Sequence, residues 1–265
     1  MEPPVVAHPS ILLSHGERRP RAYVLFHGLT ASPRQFATVG RALFEDGANV
    51  VIPRLPRHGY GDRLTPTLRD LSANELAEFA LAEVAAARAL GDEVVVAGFS
   101  LGGLLSALVG QRTTVAHAVA IAPFFGFAWL PQRLMPLAWR AARRAPNAFL
   151  CWDPVRRERL GPAHGYPRYP THALAAALAL GEELASEANR AAPKTERLSL
   201  IVNAGETSVH NGAVRTLARR WRRHDARVDV RAMRGLRPSH DILEFERSPK
   251  LAARALPFLL DVVRR

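Results

Sequence analysis

The stretch "VVVAGFSLGGLL", residues 94–105, decides how the chain is read. Three valines and an alanine lead into Gly98-Phe99-Ser100-Leu101-Gly102, and an apolar run to Val109 follows. A β-branched run closed by glycine favours a buried strand, and the run after the serine can open a helix. The turn between them has the G-x-S-x-G form of a nucleophile elbow. Such a turn holds the serine in a strained backbone conformation. Bulky side chains two residues before or after it would clash, so glycine stands at both places. The hydroxyl is then presented at the carboxyl end of a strand and the amino end of a helix. There, negative charge developing on an oxygen is favoured.

Outward from this point the same alternation recurs. "AYVLF" (22–26), "NVVIP" (49–53), "EVVVAG" (93–98), "VAHAVAIA" (115–122), "LSLIVN" (198–203) and "RVDVRAM" (227–233) read as strands. "ILL" (11–13) is expected to open the sheet as an antiparallel edge hairpin with 22–26. A helix is expected from Pro33, with Ser32 as N-cap and Gly47 as its stop. A second starts with the capping box Ser72 and Glu75 and ends at Gly91. Residues 171–192, 211–223 and the C-terminal stretch from Ser248, with Pro257 inside it, also read as helices. Alternating strands and helices imply an α/β fold with a mainly parallel sheet covered on both faces. Between Pro123 and Pro193 the rhythm breaks and no clear strand is expected, which suggests an inserted, mostly helical segment.

A serine hydroxyl is a weak nucleophile until a base takes its proton. The chain offers ten histidines. His240, in "LRPSHDILEF", follows the last strand and precedes the final helix, so its loop can reach the carboxyl edge of the sheet. It is favoured over His58, His210 and His224 by the chain order serine, acid, histidine that accompanies this elbow. The acid should follow "LSLIVN", and Glu206 is the one carboxylate in "NAGETSVHNG". Asp225 and Asp241 are weaker alternatives. Two backbone N–H groups should face the developing oxyanion. Leu101, after the serine, supplies one, and Leu29, in "FHGLTASPRQF", supplies the other. His27 is expected to brace that loop rather than act as a base.

Composition limits the alternatives. The chain has 265 residues, 48% of them hydrophobic, enough for one large domain. The formal charge is +12, and of 36 basic residues only Lys194 and Lys250 are lysines. The arginine clusters Arg140–Arg143–Arg144, Arg156–Arg157–Arg159 and Arg219–Arg220–Arg222–Arg223 read as solvated helix faces. No nucleic-acid motif accompanies the charge, so no nucleic-acid partner is expected. Cys151 is the single cysteine, which excludes an internal disulfide. No signal peptide and no run near the roughly 18 apolar residues of a membrane span is read, so the expectation is a soluble cytoplasmic protein. Neither G-x-x-x-x-G-K-[ST] nor H-E-x-x-H occurs, and no metal or cofactor is expected.

Together, "FHGLTASPRQF", "PRLPRHGYGD", "GFSLGG", "NAGETSV" and "SHD" resemble the α/β-hydrolase superfamily. Within it the chain is most similar to bacterial carboxylesterases and monoacylglycerol lipase-like enzymes of the serine aminopeptidase S33 type. The resemblance covers nearly all of the chain outside 124–195. It implies an eight-stranded, mostly parallel sheet in a core of 1–123 and 196–265, with 124–195 as a helical cap. It also implies Ser100 as nucleophile, His240 as base, and Leu29 and Leu101 as oxyanion donors. The family usually places aspartate three residues before a valine. Here Glu206 stands three before Val209.

The expected activity is hydrolysis of small carboxylic esters, short- to medium-chain or monoacylglycerol-like, through an acyl-enzyme. Phe124, Phe125 and Trp129 are expected to line the substrate pocket. The same triad permits amide, thioester or carbon–carbon bond hydrolysis, or acyl transfer. A slow or non-catalytic ligand-binding protein on a hydrolase scaffold is the alternative of another class.

Overall fold

A computed structural model describes residues 5–153, 155, 164–236, 239–243, 245 and 248–265. Its first half carries β1 (Ile11–Leu13), β2 (Arg19–Phe26), α1 (Ala37–Glu45), β3 (Asn49–Ile52), α2 (Ala73–Ala87), β4 (Gly91–Phe99), α3 (Leu101–Arg112) and β5 (His117–Ile121). The second half carries α4 (Met135–Arg144), β6 (Phe149–Cys151), β7 (Arg168–Pro170), α5 (Thr171–Arg190), β8 (Arg197–Asn203), α6 (Asn211–Arg222), β9 (Arg227–Met233) and α7 (Pro249–Arg264).

Seven strands form the main sheet, in the order β1-β3-β2-β4-β5-β8-β9. Every pairing is parallel except that of β1 with β3. The order explains where the helices go. The step from β2 to β3 moves one way across the sheet, and the later steps move the other way. Right-handed crossovers therefore put α1 on one face and α2, α3, α5 and α6 on the opposite face. The contacts agree: α1 packs with α7, whereas α5 packs with α2, α3 and α6. The direction reverses at the boundary of β2 and β4, and ligands of open α/β sheets bind at such a switch point.

The central strands are covered on both sides, so Val94–Phe99 is buried throughout. Helix α3 is buried from Leu101 to Gln111, because sheet, α2 and α5 surround it. That explains a helix apolar on all sides rather than on one stripe. Trp221 of α6, fully buried, donates its indole N–H to Gln111 Oε1 at 2.6 Å. Arg112 at the end of α3 pairs with Glu183 and Glu187 of α5 at 2.6 and 2.7 Å.

Several expectations need correction. Residues 11–13 pair with β3, not with the 22–26 strand. Both edges of β2 are already occupied by β3 and β4, so the free edge of β3 is the place left. Among the described residues the sheet has seven strands rather than eight, and those before Ile11 contribute only an isolated bridge between Val6 and Tyr60. Ser32 stands at the N-cap with Pro33 next, but of a 3₁₀ turn, Pro33–Phe36, that precedes α1, and its hydroxyl makes no capping bond and meets His164 Nδ1 at 3.2 Å. Ser72 does cap α2, accepting from the Glu75 N–H at 3.1 Å, but Gly91 already belongs to β4.

The 124–195 region contains two kinds of structure. Helix α5 packs on α2, α3 and α6, and so serves as the crossover helix between β5 and β8. Above it lie α4 and a small antiparallel hairpin, β6 with β7, that the sequence reading did not anticipate. Arginines assigned to solvated faces also join elements. Arg140 pairs with Glu182, Arg220 donates to the Ala185 carbonyl, and Arg223 donates to Asn189. Arg156, Arg157 and Arg159 lie outside the described residues. Among the described residues, no helix is long and apolar enough to cross a membrane.

Candidate active site

Ser100 joins β4 to α3 with φ +56° and ψ −112°, a backbone region that side chains rarely adopt. Its N–H donates to the Ile121 carbonyl at 2.9 Å, and its carbonyl accepts from Leu104 and Phe124 N–H groups at 3.0 Å each. The strained residue is thus held from β5 and from its own helix. The flanking glycines are obligatory. A Cβ on Gly98 would sit 2.1 Å from the Gly102 carbonyl oxygen, and one on Gly102 would sit 1.9 Å from that of Phe26. Both obstacles are backbone and cannot move aside.

His240 reaches Ser100 from the loop after β9. Its Nε2 lies 2.9 Å from Ser100 Oγ, and its Nδ1 lies 2.9 Å from Glu206 Oε2. Phe99 stacks on the imidazole at 4.8 Å between ring centres. Buried Asn203, the last residue of β8, donates to the Ser239 carbonyl at 2.6 Å and ties the histidine loop to the sheet. The structure therefore brings the serine, histidine and glutamate together from three strand ends. The carboxylate that meets His240 Nδ1 is that of Glu206.

The Glu206 side chain is 0% exposed and that of His240 is 19% exposed. Oε1 of Glu206 accepts backbone N–H groups of Thr207, Ser208 and Val209 at 2.9, 2.7 and 3.3 Å. Burial pushes this carboxyl's pKa up. The hydrogen bond and charge of His240, with the Ser208 and Val209 N–H groups, outweigh burial and leave it below the ordinary value. Glu206 is ionised at neutral pH. It can hold Nδ1–H of the imidazole, leaving Nε2 to accept the serine proton.

Leu29 and Thr30 follow β2 and lie beside the elbow. Among the described residues, no hydrogen-bond acceptor engages the N–H of Leu29 or of Leu101. His27 is fully buried; its Nδ1 meets the Gly28 carbonyl at 2.9 Å and its Nε2 accepts from Leu55 N–H at 3.2 Å. Burial, followed by the neighbouring His58, pushes its pKa well below the ordinary value. A neutral His27 braces the loop, as expected, and is not placed to reach Ser100.

The model of one protein family, described as "Alpha/beta hydrolase family", matches residues 23–254. The chain belongs to that family. No curated protein sequence matches it. Solved hydrolase structures match nearly its whole length. A metagenome-derived lipolytic enzyme is 17% identical, with 99% of each chain covered and a TM-score of 0.69. A monoacylglycerol lipase of Paleococcus ferrophilus is 17% identical, covering 96% of this chain and 97% of that one, with a TM-score of 0.70. A soluble variant of the Saccharomyces cerevisiae monoglyceride lipase, solved with a substrate analogue, is 11% identical, covers 96% and 90%, and gives 0.67. At such identities the likeness shows the fold.

Within this hydrolase fold the space over Ser100 is small and apolar. A cavity of about 30 Å³ is lined by Leu29, Ser100, Leu101, Phe124, Phe127, Trp152, Leu174 and His240, among others. Of the expected pocket residues, Phe124 lines it. Phe125 instead lines a separate groove beneath α4, with Met135, Trp139 and Leu178. Trp129 is 73% exposed and stacks on Phe127 at 5.3 Å. The reading missed Phe127 and Trp152. Phe127 is drawn in by a bridge to Val209, beside the acid loop, which no local pattern reveals.

Proposed function

We propose that the chain is a serine hydrolase of small carboxylic esters, using Ser100, His240 and Glu206. The observation that carries this is the continuous path from Glu206 through His240 to Ser100, with both hydrogen bonds at 2.9 Å. Ser100 Oγ attacks the ester carbonyl while His240 Nε2 takes its proton. The carbonyl oxygen becomes an oxyanion held by the Leu29 and Leu101 N–H groups. Collapse expels the alcohol, which receives the proton from His240. Water, deprotonated by the same histidine, then attacks the acyl-enzyme and releases the acid. No step calls for a metal or organic cofactor.

The apolar lining supports an acyl group at this position, and the small cavity supports the short end of the short- to medium-chain range. The segment before α5, which carries Phe124, Phe127 and Trp152, acts as the cover over the site, and a cytoplasmic location fits this reading. Glu206, standing where relatives usually carry aspartate, favours a second reading: a slow, ligand-holding member of the family.

A panel of p-nitrophenyl esters of rising chain length separates the two. The proposal expects turnover of short esters that falls by on the order of 10⁶ in Ser100→Ala. Tight ester binding without turnover would sink it and favour the second reading.

A further inference from the structure

Thr30 follows the oxyanion donor Leu29 and has φ +66°, a region that β-branched residues rarely adopt. Every polar group of this residue is held. Its N–H donates to His58 Nε2 at 3.2 Å, and its carbonyl accepts the Tyr166 N–H at 2.7 Å. Its hydroxyl accepts the Trp152 indole N–H at 2.8 Å and donates to the Leu29 carbonyl at 2.6 Å. His58 and Tyr166 are buried, so water does not compete for the bonds to the Thr30 N–H and carbonyl, whereas Trp152 is 46% exposed. Strain of this kind persists only where the surroundings over-determine it.

The consequence falls on Leu29. The peptide after it is pinned through the Thr30 hydroxyl. The peptide before it is pinned through the Gly28 carbonyl, which accepts the Ala31 N–H at 3.2 Å and meets His27 Nδ1 at 2.9 Å. The Leu29 N–H lies in the plane before Leu29, and fixing the plane after it as well leaves the residue little freedom to turn. A threonine hydroxyl has one hydrogen, and the indole N–H occupying a lone pair orients that hydrogen toward the Leu29 carbonyl. Trp152 also lines the cavity over Ser100, so one side chain touches both the substrate space and the loop that would hold the oxyanion.

We propose that Thr30 is a positioning residue for the oxyanion donor at Leu29, with its hydroxyl set by the Trp152 indole N–H. The inference rests on the serine-hydrolase reading. Without the hydroxyl bond, the strained Leu29–Thr30 peptide keeps only its N–H bond to His58, and the turn that carries the Leu29 N–H loses part of its hold. Losing an oxyanion donor lowers kcat by about 10²–10³. Misaiming one lowers it less.

The test compares wild type, Thr30→Val, Thr30→Ser and Trp152→Phe on one short p-nitrophenyl ester. Each is also titrated with an alkylboronic acid, whose tetrahedral adduct places an oxygen at the oxyanion position. Thr30→Val is expected to lose kcat by about 10- to 100-fold, with KM within about threefold and a parallel loss of boronate affinity. Thr30→Ser keeps the hydroxyl and stays within about threefold. Trp152→Phe keeps a ring in the cavity wall, loses the N–H, and is expected to lose kcat by about 3- to 10-fold.

A Thr30→Val enzyme with unchanged kcat, or with the loss in KM alone, overturns the inference. So does a Thr30→Ser enzyme as impaired as Thr30→Val, because that points to packing by the methyl group. If circular dichroism shows Thr30→Val unfolded, Trp152→Phe decides: a kcat loss supports the inference, and wild-type kcat overturns it. A wild-type enzyme that turns over while the variants match it defeats the inference alone. A wild type that neither turns over nor reacts with a fluorophosphonate defeats the serine-hydrolase reading and the inference with it.

Discussion

Two strained turns meet at this site, one at Ser100 after β4 and one at Thr30 after β2, and they are held in different ways. The elbow at Ser100 is fixed by adjacent backbone: its own strand and helix, the neighbouring β5, and two glycines that let Phe26, Gly98 and Gly102 approach within contact distance. The Thr30 turn is fixed by side chains from remote segments, His58 and Trp152, and by the backbone N–H of Tyr166. A strain stored in backbone packing must fail with the fold. A strain stored in side-chain hydrogen bonds can be released locally while the fold survives.

The largest effect that sharpens this contrast comes from the acid, which like Thr30 acts through a long-range side-chain bond. Glu206→Gln keeps the size of the side chain but removes the charge on His240. Turnover is expected to fall by on the order of 10⁴ with the fold intact. Steady-state kinetics beside a circular dichroism spectrum checks this, and a loss below tenfold would mean another group orients the imidazole.

Breaking the elbow should look different. Gly102→Ala places a Cβ where the Phe26 carbonyl stands, 1.9 Å away, with no side chain to yield. A destabilisation above about 4 kcal/mol is expected, measured by denaturant unfolding or seen as failure to accumulate folded protein. A folded, stable Gly102→Ala protein would show that the elbow is less tightly determined than its geometry implies.

The smallest effect separates the turns by pH. Burial pushes His58 from its ordinary 6.5 down to about 4, so between those values the unfolded chain binds a proton that the folded chain does not. Stability is then lost as pH falls through that window, by about 2 kcal/mol at pH 5 from this residue. Protonation would also end the acceptance of the Thr30 N–H. In His58→Gln, where an amide oxygen can still accept, the difference in stability between pH 7 and pH 5 should shrink by about that amount. Equal pH slopes in the two proteins would contradict the buried, neutral state of His58.

The contrast also explains what could be read from the sequence. The strands, the elbow, Ser100, His240 and Glu206 are encoded by local patterns: β-branched runs, paired glycines, and loops that follow strands in a fixed order. Trp152 and Thr30 stand 122 residues apart, and neither carries a pattern that names the other. The β6–β7 hairpin escaped notice because Phe149–Cys151 and Arg168–Pro170 are three residues each, too short for alternation to register. Phe125 and Trp129 were aromatic residues in the right segment. The chain path after Phe124 sends them away from the cavity, one beneath α4 and one to solvent.

The central claim is that Glu206 and His240 activate Ser100. The most direct test treats the folded protein with a fluorophosphonate probe and maps the adduct by peptide mass spectrometry. The account predicts a single modified residue, Ser100, with labelling abolished in Ser100→Ala and strongly slowed in His240→Gln. Labelling elsewhere, or labelling of Ser100 at the same rate without His240, would contradict it.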